Sequence, residues 1–467
     1  MTHMTEKKET PQLDDLEQGL WPSFVTEIKR AAEKSPMAQD LLGLLEQSYE
    51  DKIGHWKHGG IVGVKGYGAG VIGRYTDMPE EFPNVKEFHT VRVNAPSGWF
   101  YSTEALRAIC DIWEEHGSGL TNMHGSTGDV ILLGTTTDEL QPTFDELSDA
   151  GFDLGGSGSA LRSPSCCVGP GRCEYACYDT LDMCYDITHT YLDELHRPMW
   201  PYKFKIKMSG CANDCVAAIA RADCSVIGTW RDTICIDQNA VKQYVADGMD
   251  IQKLVCDKCP TRCLSFNAQT SELSVSGADC SRCMHCVNTM HKAIKQGREK
   301  GATILIGAKS TIVKSAFLSW VIVPFMKMEA PYTEFKNLIE RIWDWWDENA
   351  KTRERIGELI YRVGMGRFLR EVGLPPVPQM VFRPRANPYV FWQPEEIIPY
   401  DESENGAPNS GSNNEPGNGV PGNDESENNP SGDSNGDSNS DSNSDSSSDS
   451  NSNERRNNNN GEQRIMR

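Results

Sequence analysis

Two stretches of the chain carry apolar residues at the spacing of an amphipathic helix. Residues 12–48 are rich in helix-forming residues, and leucines within them recur at this spacing. The clearer case is 333–350, where one stripe collects the apolar side chains Phe335, Leu338, Ile339, Ile342, Trp343 and Trp346. Both stretches are predicted to be helices, and the stripe is predicted to pack in a core rather than to hold a cofactor.

Short apolar runs alternate with further helical patterns along the chain. Runs rich in apolar and β-branched residues predict strands at 91–93, 99–101, 130–133, 224–238 and 303–306. Helices are predicted at 141–150, at 239–247, and from an N-cap at Ser102 or Thr103 to His116. This alternation predicts the α+β fold class.

Glycines crowd residues 59–73 (GGIVGVKGYGAGVIG). We predict a glycine-rich hairpin here. A phosphate-binding loop is the less favoured alternative, because no strand–GxGxxG–helix unit follows. Glycine backbone would also allow close approach to a flat cofactor.

The stretch 202–208 (YKFKIKM) alternates lysines with apolar residues. A strand has a side-chain period of two, so the lysines share one face and the apolar residues the other. The lysines are Lys203, Lys205 and Lys207, and the apolar residues are Phe204, Ile206 and Met208. A solvated strand face is one interpretation. An anion site is the other, because the strand leads directly into a cysteine loop and Arg162 precedes another.

The net charge of −21 is unevenly distributed. From Asp401 onward, 14 acidic residues and 4 arginines contribute −10, which leaves −11 for the rest of the chain. An acidic body disfavours nucleic acid as a partner. Residues 401–467 repeat Ser, Asn, Asp and Gly with almost no apolar residues, so we expect a disordered tail. This tail lacks the Gly and distal Glu of an EF-hand loop, which disfavours calcium binding.

All 16 cysteines lie between Cys110 and Cys286. Disulfide frameworks are typical of short secreted chains, whereas this chain is long and begins MTHMTEKKET, without an apolar signal segment. Its longest apolar run is about ten residues, against the ~20 that cross a bilayer. We therefore expect a cytoplasmic, reduced protein without a membrane span, whose thiols serve metal chemistry.

The distal cysteines follow a CxxCxxC pattern. They are Cys280, Cys283 and Cys286. Together with the Cys-Pro step at Cys259, this is the ferredoxin arrangement for a [4Fe–4S] cluster. Structural zinc held by two CxxC pairs, one of them Cys256 and Cys259, is the alternative, and the third in-step cysteine favours iron–sulfur. Cys263 competes as the fourth ligand, and Cys259 is preferred because the ferredoxin fourth ligand precedes proline.

The proximal cysteines form two closely spaced pairs. They are Cys167 with Cys173 and Cys211 with Cys215. Four thiolates in two short loops can hold one [4Fe–4S] cluster. Cys166, Cys177 and Cys184 are alternatives to the first pair.

Three segments of the chain resemble the alpha subunit of dissimilatory sulfite reductase. They are SALRSPSCCVGPGRCEYACYDT, PYKFKIKMSGCANDC and CSRCMHC. The resemblance covers roughly residues 21–399, with motifs that are highly specific to this family. Assimilatory sulfite and nitrite reductases share the C-x5-C…C-x3-C spacing but resemble the chain less, because the inserted ferredoxin module is typical of the dissimilatory type.

The resemblance implies two [4Fe–4S] clusters and a siroheme. The siroheme-coupled cluster would be held by Cys167, Cys173, Cys211 and Cys215, with the Cys215 sulfur bridging to the macrocycle iron. The ferredoxin-type cluster, which feeds electrons in, would be held by Cys259, Cys280, Cys283 and Cys286. The sulfite pocket would be lined by Arg74, Arg162, Lys203, Lys205 and Lys207. Since siroheme carries eight carboxylates, the arginine-rich stretch 353–370 and the arm at 381–396, with Arg383 and Arg385, are candidate counter-charges.

The resemblance further implies a six-electron reduction of sulfite by an α2β2 enzyme that works with a small cysteine-carrying sulfur-relay protein. One of the two macrocycle sites in each αβ unit of the family can be inactive or demetallated. A non-catalytic electron-transfer subunit is therefore one alternative, and a reverse-running, sulfur-oxidising enzyme is another. Neither the physiological direction nor the electron donor follows from the sequence.

The predicted architecture is a sulfite-reductase-like multidomain fold with an inserted ferredoxin-type module. Residues 1–160 are expected to form a helical segment and a first α+β domain. Residues 161–238 and 301–400 are expected to form the siroheme and cluster domain with a C-terminal arm. Residues 239–300 are the predicted module, and 401–467 the predicted tail.

Overall fold

A computed structural model describes residues 9–19, 23–309 and 316–376 of the chain. The predicted arm at 381–396, with Arg383 and Arg385, and the predicted tail at 401–467 lie outside these residues. Within them, helices and strands alternate, which confirms the α+β class. None of the described helices combines the length and the apolar character needed to cross a membrane.

Three helices open the described chain. They are α1 (Pro11–Glu17), α2 (Phe24–Ala32) and α3 (Pro36–Asp51). The prediction of helical structure over 12–48 is confirmed, although it is divided into three helices. Ser35 caps α3 by accepting a hydrogen bond from the Ala38 N–H, and Pro36 occupies the first turn, where it costs no helical hydrogen bond. The apolar faces of the three helices meet at Leu13, Val25 and Leu42.

An antiparallel sheet forms the first domain. The strands of this region are β1 (Trp56–His58), β2 (Val71–Ile72), β3 (Arg74–Thr76), β4 (Thr90–Val93), β5 (Leu120–Met123) and β6 (Val130–Leu133). The sheet order is β2-β4-β6-β5. β1 and β3 pair across the glycine-rich stretch, so the predicted hairpin is confirmed. Helices α4 (Thr103–His116) and α5 (Leu140–Asp149) pack on the sheet through a shared apolar core, as predicted.

The strand predicted at 99–101 is wrong. The backbone there follows a 3-10 turn, Ser97–Trp99, in which Gly98 and Trp99 have φ of 66° and 62°. Left-handed backbone of this kind interrupts extended pairing. The helix start just beyond is as expected, because the Ser102 hydroxyl accepts a 3.0 Å hydrogen bond from the Ala105 N–H.

A mixed five-stranded sheet forms the second domain. The strands that follow in the chain are β7 (Ser165–Cys166), β8 (Ile206–Ser209), β9 (Cys224–Trp230), β10 (Cys235–Ile236), β11 (Leu264–Asn267), β12 (Glu272–Val275), β13 (Ile294–Lys295), β14 (Lys300–Ile306) and β15 (Trp320–Met326). The sheet order is β15-β14-β9-β8-β7. β7, β8 and β9 run parallel, whereas β14 is antiparallel to both of its neighbours.

Helices cover one face of this sheet. The helices of the second half are α6 (Thr180–Thr190), α7 (Leu192–His196), α8 (Ala218–Arg221), α9 (Gln238–Ala246), α10 (His285–Thr289), α11 (Thr333–Asn349), α12 (Ile356–Val363) and α13 (Met365–Val372). α6, α11, α12 and α13 share one core with the strands. The whole predicted stripe of α11 is buried in that core, so its structural role is confirmed.

The cysteine-rich module is an insertion between two paired strands. β9 ends at Trp230 and β14 begins at Lys300, directly opposite Trp230 in the antiparallel ladder. The residues between them form a π-helix (Gln252–Cys256), the β10–β13 and β11–β12 pairs, and a core around Val255, Leu273 and Val287 that also includes Cys177 and Cys211. An inserted module is therefore confirmed, while the domain limits near residues 160, 238 and 300 stay predictions.

Candidate iron–sulfur and anion site

The proximal cysteines lie at the carboxyl ends of two neighbouring parallel strands. β7 and β8 pair in parallel, so the loops after them leave the same edge of the sheet. Cys167 follows β7, and its N–H donates a 3.0 Å hydrogen bond to the Met208 carbonyl. Gly210, directly before Cys211, donates its N–H to the Cys167 sulfur at 3.2 Å. The two predicted cysteine pairs are thereby held against each other.

The four thiols of the two pairs also interact electrostatically. Burial raises the pKa of Cys211 to about 11, with further increases from Cys173, Cys215 and Cys167. Cys211 is 6% exposed, whereas Cys215 is an exposed residue. Clustered thiols ionise with difficulty unless a metal compensates the charge, so this group suits a metal cluster with Cys215 on its outer side.

Of the three alternative cysteines, Cys166 and Cys184 lie away from the proximal group, whereas Cys177 lies near it. Cys166 and Cys184 are buried in the core of the second domain, and the Cys166 sulfur accepts a 3.1 Å hydrogen bond from the Gly98 N–H. Cys177 lies close to Cys211 and Cys173, and burial raises the pKa of its thiol to about 12. Its sulfur faces the Tyr175 carbonyl at 3.8 Å. Geometry thus separates Cys166 and Cys184 from the proximal group.

The distal cysteines line one cavity of the inserted module. The thiols in its wall belong to Cys259, Cys263, Cys280, Cys283 and Cys286. Trp230 and Met284 supply apolar wall. The Cys259 and Cys263 sulfurs are 3.5 Å apart, so both fourth-ligand candidates reach the cavity. The side chains that form the wall do not include Cys256, although the zinc alternative requires it as a ligand.

Direct hydrogen bonds join the two cysteine sites. Asn213, between Cys211 and Cys215, exchanges two side-chain hydrogen bonds of 3.2 and 2.7 Å with Asn288 of α10. The Gln296 side chain donates a 2.7 Å hydrogen bond to the Tyr175 carbonyl. The module is therefore attached to the loops that carry the proximal cysteines.

We call Lys203, Lys205 and Lys207 the lysine row. The predicted alternation is confirmed, because Phe204, Ile206 and Met208 are all buried in the opposite, helix-covered core. The strand itself is shorter than predicted. Ahead of it, Phe204 forms only an isolated parallel bridge to Leu161, and the Lys205 N–H donates to the Asp223 carboxylate instead of a strand partner.

Burial reduces the basicity of the row and of Arg162. It lowers the pKa of Lys205 to about 7, that of Lys207 to about 8 and that of Arg162 to about 9. The Lys207 side chain is 1% exposed, and its ammonium group has no hydrogen-bond partner among the described residues. A cation buried in this way is expected to meet a bound anion.

Arg162 and Arg74 occupy different surroundings. The Arg162 guanidinium donates a 2.8 Å hydrogen bond to the Gly158 carbonyl, and its charge interacts with Lys203 and Lys205. Arg74 begins β3, where it donates a 2.7 Å hydrogen bond to His58 Nε2. The membership of Arg74 in the anion site stays a prediction. Arg383 and Arg385 lie outside the described residues.

Several charged residues near the row were not singled out from the sequence. Arg355 of the arginine-rich stretch forms a buried two-point ion pair with Asp223, with both contacts at 2.7 Å. Arg92 of β4 pairs with the fully buried Asp129 at 3.0 Å. Arg92 sits in a short apolar strand and Asp129 in a glycine-containing turn, so only their tertiary position relates them to the row.

Comparison with protein families places the fold in a class. The family model described as the nitrite and sulphite reductase 4Fe-4S domain matches residues 157–377. The model described as the nitrite/sulfite reductase ferredoxin-like half domain matches residues 82–150. These two domains, with thiols at the strand ends and a cationic row beside them, define the class of nitrite and sulfite reductases.

Comparison with individual proteins narrows this class to one family. The dissimilatory-type sulfite reductase subunit alpha of Nitratidesulfovibrio vulgaris is 51% identical over 420 residues, covering 84% of this chain and 96% of that protein. The corresponding subunit of Allochromatium vinosum is 46% identical over 395 residues, covering 82% and 94%. The crystal structure of dissimilatory sulfite reductase I matches with a TM-score of 0.77 at 50% identity, covering 84% of this chain and 96% of that one. The chain belongs to the family of dissimilatory-type sulfite reductase alpha subunits, and it is an oxidoreductase acting on sulfur compounds.

This family implies iron–sulfur and siroheme cofactors, and the residues present fit both. Two groups of thiols have the donor chemistry of iron–sulfur clusters. Several buried polar atoms have no hydrogen-bond partners among the described residues; they include Lys207 Nζ, Ser163 Oγ, Ser165 Oγ and Arg92 Nε, and the first three belong to segments that lead into the proximal cysteine loops. Unpartnered buried donors and cations suit a carboxylate-rich macrocycle and an anionic substrate.

Proposed function

We propose that this chain reduces sulfite toward sulfide by six electrons at a siroheme–[4Fe–4S] centre. The observation that carries the proposal is the lysine row, which runs straight into the loop of Cys211 and Cys215, with Lys207 buried and Lys203 and Lys205 partly buried. Sulfite is a small anion, and its binding beside an electron-rich metal requires fixed positive charge that water does not screen.

The two cysteine sites would have different redox roles. Cys167, Cys173, Cys211 and Cys215 would hold the cluster coupled to siroheme, with the Cys215 sulfur as the bridge. Cys259, Cys280, Cys283 and Cys286 would hold the ferredoxin-type cluster through which electrons enter. When bound, siroheme would supply redox-active iron for the reduction of sulfite. A demetallated macrocycle in this subunit is the alternative form.

The chain's own residues bind the anion and supply protons. The lysine row, Arg162 and Arg74 would orient the sulfite oxygens. Lys205 and Lys207 have pKa values lowered toward neutrality by burial, so each can hold a proton near pH 7 and release it as an S–O bond breaks. Arg355, neutralised by Asp223, anchors the start of the row through the Asp223 contact with the Lys205 N–H.

The relatives are named as alpha subunits, which supports assembly with a beta subunit. We propose an α2β2 enzyme in the cytoplasm that passes sulfur to a small cysteine-carrying relay protein. The exposed Cys215 leaves the outer side of the proximal site open to a macrocycle shared with a partner. The same ligand sets would serve the reverse, sulfur-oxidising direction.

The test is turnover and absorption spectroscopy of the enzyme purified with its native partner subunit. Lys205→Met and Arg162→Met keep side-chain length and remove charge, and each should lower sulfite turnover by on the order of 10²-fold. Lys242→Ala, at an exposed position of α9, is the control and should leave turnover unchanged. Unchanged turnover in both pocket variants would instead support a non-catalytic electron-transfer subunit.

A further inference from the structure

The turn between β5 and β6 carries a chain of three hydrogen-bonded side chains. His124 Nδ1 lies 2.8 Å from the Thr127 hydroxyl oxygen, and the Thr127 hydroxyl donates a 2.6 Å hydrogen bond to Asp129 Oδ2. Backbone hydrogen bonds close the turn, from His124 N–H to the Asp129 carbonyl and from Gly128 N–H to the His124 carbonyl. The three side chains are therefore connected in one hydrogen-bonded unit.

Each hydrogen bond of this unit is donated toward the buried Asp129 carboxylate. Because Thr127 gives its only proton to Asp129, it must accept from His124, whose Nδ1 then carries hydrogen. His124 is half-exposed, Thr127 is buried and Asp129 is fully buried. The chain thus begins at solvent and ends at a buried carboxylate.

The far oxygen of this carboxylate is unpartnered. Asp129 Oδ1 is buried without a hydrogen bond among the described residues, and so is Ser163 Oγ. Both atoms flank Gly155, since a Cβ placed there would meet them at 2.8 and 2.7 Å. Ser163 lies four residues before Cys167, in the segment that leads through β7 to the proximal cysteines, so the unpartnered carboxylate oxygen lies beside that segment.

Cations from several elements interact with the unit. The charge of His124 interacts with Arg92 from β4, with Arg162 from the loop before β7, and with Lys205 and Lys207 from the lysine row. Asp129 faces Arg92, Arg162, Lys207 and the buried Tyr101 hydroxyl. With burial, these cations lower the pKa of His124 to about 4, so its ring is neutral at pH 7, with Nε2 open to a proton from water. The turn also contacts the lysine row directly, because Lys205 Nζ donates a 2.7 Å hydrogen bond to the Ser126 hydroxyl.

Reduction at this pocket has a large proton demand. Conversion of sulfite to hydrosulfide and three waters consumes seven protons with the six electrons, whereas each lysine of the row stores one. The row must therefore be recharged from solvent during every turnover.

We infer that His124, Thr127 and Asp129 form the proton-supply line of the sulfite pocket, an inference that rests on the proposed function. A proton from water bonds to His124 Nε2, the Nδ1 proton passes to Thr127, and the Thr127 hydroxyl proton passes to Asp129. One proton enters and none is created, and exchange with water returns the His124 imidazole to its Nδ1–H tautomer before the next transfer. Once Thr127 and Arg92 release Oδ2, a half-turn of the carboxyl group, about a torsion with two equivalent wells, presents the proton to the pocket. The three residues act through the row and position protons rather than touch sulfite.

The test compares Thr127→Val with Thr127→Ser in the complex with the native partner. Valine matches threonine in shape but breaks the line, while serine keeps the hydroxyl. We expect Thr127→Val to lower turnover at least about tenfold and to raise the solvent deuterium isotope effect. Its sulfite dissociation constant, measured by visible absorption, should stay within about twofold of the wild-type value. Thr127→Ser should behave as wild type in all three measurements.

Two further variants make the outcome decisive. His124→Ala should lose turnover and regain it with added imidazole, because the position is open to solvent. Wild-type turnover and a wild-type isotope effect in Thr127→Val would overturn the proposed supply line. Equal losses of turnover in the valine and serine variants would also overturn it. So would a failure of imidazole to restore turnover in His124→Ala. Lys205→Met reports on the proposed function separately. If it too keeps full turnover, the pocket is not catalytic and both proposals fail.

Discussion

At the residue scale, the lysine row places ammonium groups where water is scarce. Burial is the largest cause of the lowered pKa of Lys205, about 7, and of Lys207, about 8. Arg355 and Lys203 lower the pKa of Lys205 further, since neighbouring cations disfavour another positive charge. An exposed lysine keeps its proton up to roughly pH 10. The row therefore changes charge in the range where an exposed lysine does not.

This difference predicts a pH dependence of sulfite binding. As pH rises through about 7 to 8, Lys205 and Lys207 lose positive charge, so the sulfite dissociation constant should rise. Lys205→Arg keeps its charge throughout and should flatten part of that rise, while sulfite itself ionises identically in both proteins. Absorption titrations of wild type and variant between pH 6 and 9 would check this. Parallel pH profiles would contradict the assignment of the titration to Lys205.

At the element scale, the parallel pairing of β7, β8 and β9 positions the proximal cysteines. Gly228 in the middle of β9 lies against the backbone that precedes Cys211. A Cβ at Gly228 would come within 1.9 Å of the Gly210 carbonyl oxygen, which is backbone and cannot rotate away. Gly210 in turn holds the Cys167 sulfur through its N–H. The absence of a side chain at Gly228 thus maintains the geometry of both cysteine loops.

Gly228→Ala is therefore expected to displace the loop of Cys211 and to impair the proximal cluster. Iron and sulfide analysis of the purified complex should show a loss of about four iron atoms per chain. The matched control is Gly366→Ala in α13, where a Cβ meets nothing within 4 Å and alanine favours the helix. Full cluster content in Gly228→Ala would show that β9 can shift without moving the cysteines.

At the scale of the whole molecule, the two cysteine sites lie in two neighbouring parts of the described chain, the second domain and its inserted module. The module emerges from the β9–β14 ladder, its core includes Cys177 and Cys211 of the proximal loops, and Asn213 and Asn288 add hydrogen bonds between the two parts. Cys211 of the proximal group packs in the core of the module, so the two sites share part of their packing. The bridging amides fix one contact between the sites, as the proposed electron transfer between two clusters would require.

Cys283→Ser should remove the distal cluster and leave the proximal one in place. Iron content should fall by about four atoms per chain, while the siroheme absorption and its response to sulfite persist. Cys259→Ser and Cys263→Ser form a matched pair at the fourth ligand. If Cys259 is the ligand, only its replacement reproduces the loss. Disappearance of the sulfite response in Cys283→Ser would show that the two sites are not independent.

The local predictions succeeded where one element decided the outcome. The stripe of α11 is buried as its period requires, and Ser102 caps α4. The failure at 99–101 came from Gly98 and Trp99, whose left-handed backbone breaks an apolar run that otherwise resembles a strand. The row on 202–208 has the predicted faces but a shorter strand, because Asp223 replaces a strand partner at Lys205.

The sequence by itself determined the cysteine spacings, the two faces of the lysine row, the inserted module and, through its motifs, the family. These properties depend on residues close together in the chain, or on periods of two and 3.6 that secondary structure imposes. Only the tertiary structure decided that Arg92, His124 and Asp129 meet Lys205 and Lys207. The first sheet and the second sheet contribute to this site from opposite parts of the chain. Their contact depends on how the two domains pack, which no local pattern of side chains encodes.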